Sequence, residues 1–348
     1  MKAARFYGVR DIRIEHVPQP KIESNNDVII KVKAAGICGS DLSKYGRTGP
    51  HKQGEIMGHE FSGIVHEIGE NVKNLKVGDH VTVCPVLPCF KCDYCLQGKF
   101  SQCENITILG NNDNDGGFAE YVKVNRNNVI KIPESLDFET AATVEPAAVA
   151  AHGLYRTNLK VGDVVAILGA GPIGLFLIQW AKIFGASQVI AIDIFEEKLA
   201  IAKEVGADIC INSKNVDIIK EIQRLTNFKG VDVAIESAGT AFTCSQILTL
   251  AKKGGTVLFA GVPYSDVSIS REHFEKIIRN ELKVVGTWFS NSFPFPGREW
   301  FVTIQKMEEG VLRAKPIITH RITLDELPAI FEKMYKRDEF FGKVIVNM

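Results

Sequence analysis

The chain has 348 residues, and its 41 Lys+Arg balance its 41 Asp+Glu. That length exceeds what one ordinary core serves and calls for two domains, while the balanced charge excludes the single-sign field by which nucleic acid or an anionic membrane surface is held. Residues 1–17 mix charged and apolar side chains without the apolar block of an export signal, so a cytoplasmic protein is expected.

To about residue 133 the chain reads as short β-rich runs broken by Gly, Pro and Asn, at 28–32, 61–68, 80–83 and 119–124. Six of the eight cysteines lie between Cys38 and Cys103. Disulfides are disfavoured in a reducing compartment, so this clustering speaks for metal. Cys89, Cys92, Cys95 and Cys103 stand in a loop-like stretch as C-x-x-C-x-x-C followed by a fourth cysteine. Four thiolates at such spacing close a tetrahedron around one zinc and leave no open position, which makes the site structural. An iron–sulfur cluster shares the first spacings, but its fourth cysteine follows closely and precedes proline; here Glu104 and Asn105 follow Cys103. The expected zinc lobe covers 84–110, with Cys84 as packing, and the isolated Cys210 and Cys244 read as small buried apolar residues.

After Thr140 strands alternate with helix-length segments, the strands at 164–168, 189–192, 209–212, 231–236, 256–260 and 284–287. Six strands so separated predict an α/β, doubly wound parallel sheet. Residues 164–181 are uncharged for long enough to suggest a membrane span. Gly169, Gly171, Pro172 and Gly174 break a helix there, so the stretch reads as a buried strand, a tight turn and then a helix. A Pro- and aromatic-rich loop at 291–300, a helical segment and a last strand at 344–346 are expected to return to the first domain. The expected division is 1–150 with 288–348, and 151–287.

Gly169-Ala170-Gly171-Pro172-Ile173-Gly174 places G-x-G-x-x-G directly after a strand and at the opening of an apolar helix. Gly169 suits the tight turn, Gly171 the close approach of a pyrophosphate and Gly174 close packing of helix on sheet. The pyrophosphate would sit on the free N–H groups at the N-terminus of this helix, which opens with Pro172 and Ile173, the proline itself offering none. Asp193 ends the next strand, where a carboxylate accepts both ribose hydroxyls and repels a 2′-phosphate, so NAD is expected over NADP. Lys198 reaches toward the same ribose, or reads equally well as a solvated lysine on a helix face.

Cys38-Gly39-Ser40-Asp41, Gly58-His59-Glu60 and Glu145-Pro146 supply thiolate, imidazole and carboxylate. Those are the donors of a catalytic zinc, which takes three protein ligands and keeps one exchangeable position. Taken singly, each has an ordinary alternative as a core cysteine, a loop histidine or a surface acid.

Across these motifs, from Cys38 through the four-cysteine lobe and the glycine turn to Asp193, the sequence resembles the zinc-containing medium-chain dehydrogenases over essentially its whole length. The resemblance implies a GroES-like catalytic domain, a Rossmann domain for NAD, an active site in the cleft between them, and two zincs per chain. It implies Cys38, His59 and Glu145 as catalytic-zinc ligands, Glu60 as a ligand or a close group exchanging with water, and Ser40 as the hydroxyl that passes the proton outward. Alcohol dehydrogenases of this family carry a second cysteine where this chain has Glu145, which points to the polyol branch. Residues 86–90 and 287–300 look like the corresponding stretches of enzymes acting on a phosphorylated hexitol. The expected reaction is therefore oxidation of galactitol 1-phosphate to tagatose 6-phosphate, with an unphosphorylated polyol, 2,3-butanediol or L-threonine as rivals. Threonine dehydrogenases place a histidine where this chain has Ser43, so His51 is the substitute for that relay. His51 also joins Lys44, Arg47, Lys52 and Arg298 as candidate contacts to a substrate phosphate, although each reads as an ordinary exposed polar residue too. A homodimer or homotetramer is the expected assembly. A non-catalytic nucleotide-binding protein of the same fold has no need of the metal ligands, and a zinc-ribbon module leaves the glycine turn unexplained.

Overall fold

The computed structural model describes residues 1–348. Strand Asp27–Gly36 is buried along most of its length because it has partners on both sides. Glu60–Ile68 pairs with it on one side, and Tyr121–Asn125 and Lys343–Asn347 share the other, all antiparallel. The sheet continues from Glu60–Ile68 to His80–Val83 and Val129–Lys131, and from Lys343–Asn347 to Ile318–Thr323. A second, three-stranded sheet joins Asp11–His16, Lys2–Gly8 and Glu55–Ile56. Val28, Ile30, Val65, Phe61, Phe118 and Phe331 are among the side chains of the shared core. These elements form one compact unit, Met1–Glu145 with Asn291–Met348.

The second unit is Pro146–Ser290. Its six strands run in the order Ile209–Asn212, Gln188–Asp193, Val164–Leu168, Val231–Glu236, Ala251–Phe259, Lys283–Gly286, all parallel. Strands buried on both faces need continuous apolar runs, and Val165, Ala166, Ile167 and Leu168 are each no more than 1% exposed. Between the strands lie helices Pro172–Ile183, Glu196–Glu204, Ile218–Leu225 and Arg271–Arg279. The uncharged stretch divides as the glycines require, into strand Val164–Leu168 and helix Pro172–Ile183 with proline in its first turn. No helix is long and apolar enough to cross a membrane.

Strands Lys2–Gly8, Asp11–His16 and Ile318–Thr323 were not expected from the sequence. Charged residues on their outer faces mask the period-two alternation. The loop expected at 291–300 ends three residues earlier, because helix Arg298–Glu308 starts directly after Gly297, whose φ of +123° an L side chain rarely adopts.

Candidate metal centres and cofactor crevice

Cys38 follows the end of strand Asp27–Gly36 and caps the short helix Gly39–Ser43, while His59 and Glu60 stand where strand Glu60–Ile68 begins. The register pairs Gly36 with Glu60, so the two strand ends lie side by side. The ligand atoms of Cys38, His59 and Glu60 fall within 4.8 Å of one another. Asp41 is buried beneath them. One of its oxygens accepts the Cys38 N–H at 3.0 Å, and the other lies 3.6 Å from His59 Nδ1. The second ring nitrogen of His59 is thereby left to face a metal, the usual division of labour for a ligating imidazole. Burial opposes protonation of His59, but Asp41 and the Cys38 sulfur carry its pKa well above the ordinary value.

Glu60 has a partner that the sequence did not announce. Lys343 Nζ donates to its two oxygens at 2.6 and 2.8 Å and to the Ile37 carbonyl at 3.1 Å. Both side chains are at most 3% exposed. Gly36 makes room for the pair, since a Cβ there would stand 2.3 Å from Glu60 Oε2. Glu145, in the first turn of helix Val144–Tyr155, is buried but lies outside the close group. Burial pushes its carboxyl up to about 7.

The donor set fits zinc. Thiolate, imidazole and carboxylate converge at one place, with Glu145 as a further buried carboxylate whose ordinary pKa a divalent cation would restore.

Ser40 and His51 are exposed. The His51 N–H donates to Glu55 Oε2 at 3.2 Å, as does the Asn112 N–H at 2.9 Å, and Lys44 Nζ donates to Oε1 at 2.8 Å. Glu55 is 2% exposed. A carboxylate so buried must be paired, and Lys44, one of the candidate phosphate contacts, is the cation that pairs with it. Lys52 is likewise engaged, by Asp113. Arg47 and Arg298 also have interaction partners.

The four-cysteine lobe has little core of its own. Cys95, Phe100 and Cys103 are its buried members, with Phe295 packed in from the C-terminal segment. Phe90, Phe100 and Phe295 meet edge to face at centroid distances of 5.2 to 5.8 Å. The four sulfurs lie within 4.8 Å of one another. Backbone N–H groups aim at them, from Cys92 to Cys89 Sγ at 3.4 Å and from Cys89 to Cys103 Sγ at 3.3 Å. Such donors stabilise thiolate, and those of Lys91 and Cys92 bring the Cys89 pKa down to about 6. Four thiol donors around one point, served by N–H groups, suit a closed zinc site.

In the second unit the glycine turn joins strand Val164–Leu168 to helix Pro172–Ile183. A Cβ at Gly174 would stand 1.9 Å from the Gly169 carbonyl oxygen, so helix and turn touch only because it is absent. A Cβ at Gly171 would meet nothing within 4 Å, which leaves open space in front of that backbone. Asp193 Oδ2 accepts the Ala170 N–H at 2.8 Å, and Oδ1 accepts those of Ile194 and Phe195 at 2.7 and 3.1 Å. Lys198 Nζ lies 3.9 Å from Asp193 Oδ2 and over the Phe195 ring. Gly169, Asp193, Ala238, Thr240 and Thr243 line a cavity of about 270 Å³.

Residues 172–309 match the family described as Zinc-binding dehydrogenase, and residues 24–134 match the Alcohol dehydrogenase GroES-like domain. The chain is 36% identical over 351 aligned residues to sorbitol dehydrogenase of Bacillus subtilis (strain 168), covering 99% of this chain and 97% of that protein. Galactitol-1-phosphate dehydrogenase from Escherichia coli has a crystal structure that superposes with a TM-score of 0.95 at 34% identity, covering 100% of both chains. A zinc-binding dehydrogenase of Sinorhizobium meliloti 1021, solved bound to NADP, superposes with a TM-score of 0.90 at 34% identity, covering 100% of this chain and 99% of that one.

Proposed function

We propose that this chain, which belongs to the zinc-binding alcohol and polyol dehydrogenase family, oxidises a secondary hydroxyl of a polyol to a ketone, passing hydride to NAD and releasing a proton. The observation that carries this reading is the gathering of Cys38, His59 and Glu60 donors within 4.8 Å. We propose two zincs per chain, one held by Cys38, His59 and a carboxylate from Glu60 or Glu145, the other by Cys89, Cys92, Cys95 and Cys103. At the first site zinc supplies Lewis acidity, which lowers the pKa of a bound hydroxyl into the neutral range.

The chain's own groups supply the rest. Asp41 orients the His59 ring through Nδ1. Lys343 neutralises and holds Glu60, which fixes where that carboxylate stands within the donor cluster. Ser40, exposed in the first turn of the helix that Cys38 caps, is the candidate to take the proton outward, and exposed His51 is the next along that route. In the second unit the glycine turn receives the pyrophosphate, and Asp193 selects a ribose over its 2′-phosphate.

For the substrate we propose first a polyol phosphate, galactitol 1-phosphate going to tagatose 6-phosphate. The 0.95 TM-score with the E. coli enzyme supports it. A second reading, an unphosphorylated polyol, is favoured by the ion pair in which buried Glu55 already holds Lys44. The discriminating measurement is turnover with NAD on galactitol 1-phosphate, sorbitol, 2,3-butanediol and L-threonine, with elemental analysis alongside. We expect two zincs per chain, one of them lost in Cys92→Ser, and the highest kcat/KM on the phosphorylated hexitol. Preference for sorbitol would establish the second reading, and absence of zinc from the Cys38 site would remove the dehydrogenase reading altogether.

NAD is proposed over NADP because the Asp193 carboxylate lies at the cofactor cavity, where a 2′-phosphate would meet its charge. Hydrogen bonds to a charged group contribute about 1.5–3 kcal/mol, so Asp193→Asn is expected to lower kcat/KM for NAD by roughly tenfold to a hundredfold and to narrow the preference over NADP. Equal use of both cofactors by the wild type would show that Asp193 does not select.

A homodimer or homotetramer is proposed as well. Strand Lys283–Gly286 is an open edge of its sheet, and nearby Phe274, Ile278 and Trp288 are 52%, 65% and 57% exposed. The eight free cysteines support a reducing compartment, the cytoplasm.

A further inference from the structure

In the second unit the strand order makes Val164–Leu168 and Val231–Glu236 the neighbours from which the connections run in opposite directions. Dinucleotides lie in the crevice outside the carboxyl ends of such a pair. One strand ends at the glycine turn, and the other ends at Glu236.

Glu236 is 0% exposed, and it is an acid in a place built of Val231, Val233, Ala234 and Ile235. Its two oxygens are treated very differently. Oε1 accepts three hydrogen bonds, from the Ala238 N–H at 3.0 Å, the Gly239 N–H at 2.9 Å and the Thr243 hydroxyl at 2.7 Å. Oε2 has no partner. A Cβ on Gly261 would stand 2.5 Å from it, so Gly261 backs directly onto the carboxylate. A buried acceptor without a partner destabilises a fold, so the acid at this position calls for a role that its packing does not supply.

The groups that Oε1 holds supply one. Ala238 and Thr243 line the cavity of about 270 Å³ together with Gly169 and Asp193. The same turn is fastened to the glycine turn by the Ser237 hydroxyl, which donates to the Gly169 carbonyl at 2.8 Å and the Leu168 carbonyl at 3.0 Å. Ala238 N would lie only 2.7 Å from a Cβ on Gly169.

We infer that Glu236 is a positioning residue for the dinucleotide. Its Oε1 gathers three donors so that the turn 237–243 forms the fixed wall of the cavity opposite Asp193, on which the adenosine end of the cofactor packs. Glu236 itself does not touch the cofactor. The inference rests on the dinucleotide reading of the second unit and adds to it the residue that shapes the wall.

The test is titration of the full-length, zinc-loaded protein with NADH, followed by fluorescence, with kcat measured at saturating NAD. Glu236→Ala is expected to weaken NADH binding by about tenfold to fiftyfold, because three donors lose their common acceptor. Zinc content and kcat at saturating NAD stay within about twofold of wild type. Glu236→Gln keeps an oxygen at the Oε1 position and is expected to bind within about threefold of wild type. Thr243→Val removes one donor of the three and is expected to weaken binding by roughly twofold to fivefold. A folded Glu236→Ala protein that binds NADH as the wild type does, or one in which kcat at saturating NAD falls as far as the affinity, overturns the inference. If Glu236→Ala does not fold, unchanged binding by Thr243→Val overturns it instead. Failure of the wild type to bind NADH or NADPH would strike the dehydrogenase reading itself, which keeps the two failures apart.

Discussion

His59→Ala is expected to reduce kcat/KM by about a thousandfold or more, a loss of roughly 4 kcal/mol in transition-state stabilisation. Three features of the site lead to that size. The imidazole is the one nitrogen donor among the three that meet within 4.8 Å, so no neighbour replaces it. Asp41 Oδ1 stands 3.6 Å from Nδ1 on one side of the ring and favours that orientation electrostatically. Its removal also leaves Asp41 buried without that partner, which lowers the metal affinity of what remains. The measurement is steady-state kinetics on the best substrate of the panel, paired with zinc analysis. One zinc per chain is expected to persist, because the four-cysteine lobe takes its donors from a separate stretch, 89–103. His51→Asn serves as the contrast, since an exposed relay residue backed by solvent contributes about tenfold or less. Full activity in His59→Ala would mean that these donors do not hold the catalytic ion.

Lys343→Met is expected to destabilise the first unit by about 3–5 kcal/mol, the usual consequence of stripping one partner from a buried ion pair. The pair sits at most 3% exposed, with both oxygens of Glu60 committed to the one ammonium. Deleting the cation leaves the buried Glu60 carboxylate without its ammonium partner. Thermal unfolding should register a fall of roughly 10 °C in the transition of that unit. In Glu60→Gln with Lys343→Met the buried charge is gone from both sides, so about half of the loss or more is expected to return. A double variant no more stable than the single one would show that the deficit comes from packing.

The pH dependence of the pair follows from the lysine. Burial pushes the Lys343 pKa down, but Glu60 and Cys38 together carry it above the ordinary value. A raised amine pKa stabilises the fold below the unfolded value of about 10.4 and loses that contribution only as pH rises through the folded one. The lysine's contribution is therefore fully present across the neutral range.

What the sequence disclosed is whatever depends on neighbours in the chain. The strands at 164–168, 209–212 and 231–236 were legible to the residue because buried parallel strands are continuous apolar runs bounded by turn residues. The cysteine lobe was legible for the same reason, since its four thiols fall within fifteen residues, 89–103. Lys343 was not. It lies 283 residues from Glu60 and carries no spacing signal, and only the pairing of Lys343–Asn347 with Asp27–Gly36 brings it near. Asp41 stood in the quoted motif without a role, because its bond to the Cys38 N–H is a feature of cap geometry that residue types alone do not specify. The phosphate candidates fared differently again. Lys44 and Lys52 looked exposed and unpaired, and what the sequence did not disclose was their tertiary pairing, with buried Glu55 and with exposed Asp113. Glu236 drew no notice at all, since an acid at the end of an apolar strand is an ordinary way for a strand to stop.

Because the first unit is assembled from both ends of the chain, it is also assembled late. Glu60 leaves the ribosome long before Lys343, 283 residues behind it. At synthesis rates of about 5–20 residues per second, roughly a quarter to one minute passes before the lysine arrives. Through that interval the newborn acid lacks its ammonium partner, and Cys38 and His59 wait beside a strand end, Ala34–Gly36, whose far edge is still unpaired. The second unit, whose residues 146–290 are contiguous, is complete by then. Translation thus imposes an order of maturation in which the nucleotide module precedes the chemistry, and a truncation that spares every donor residue but drops the last six would leave Glu60 buried without its ammonium.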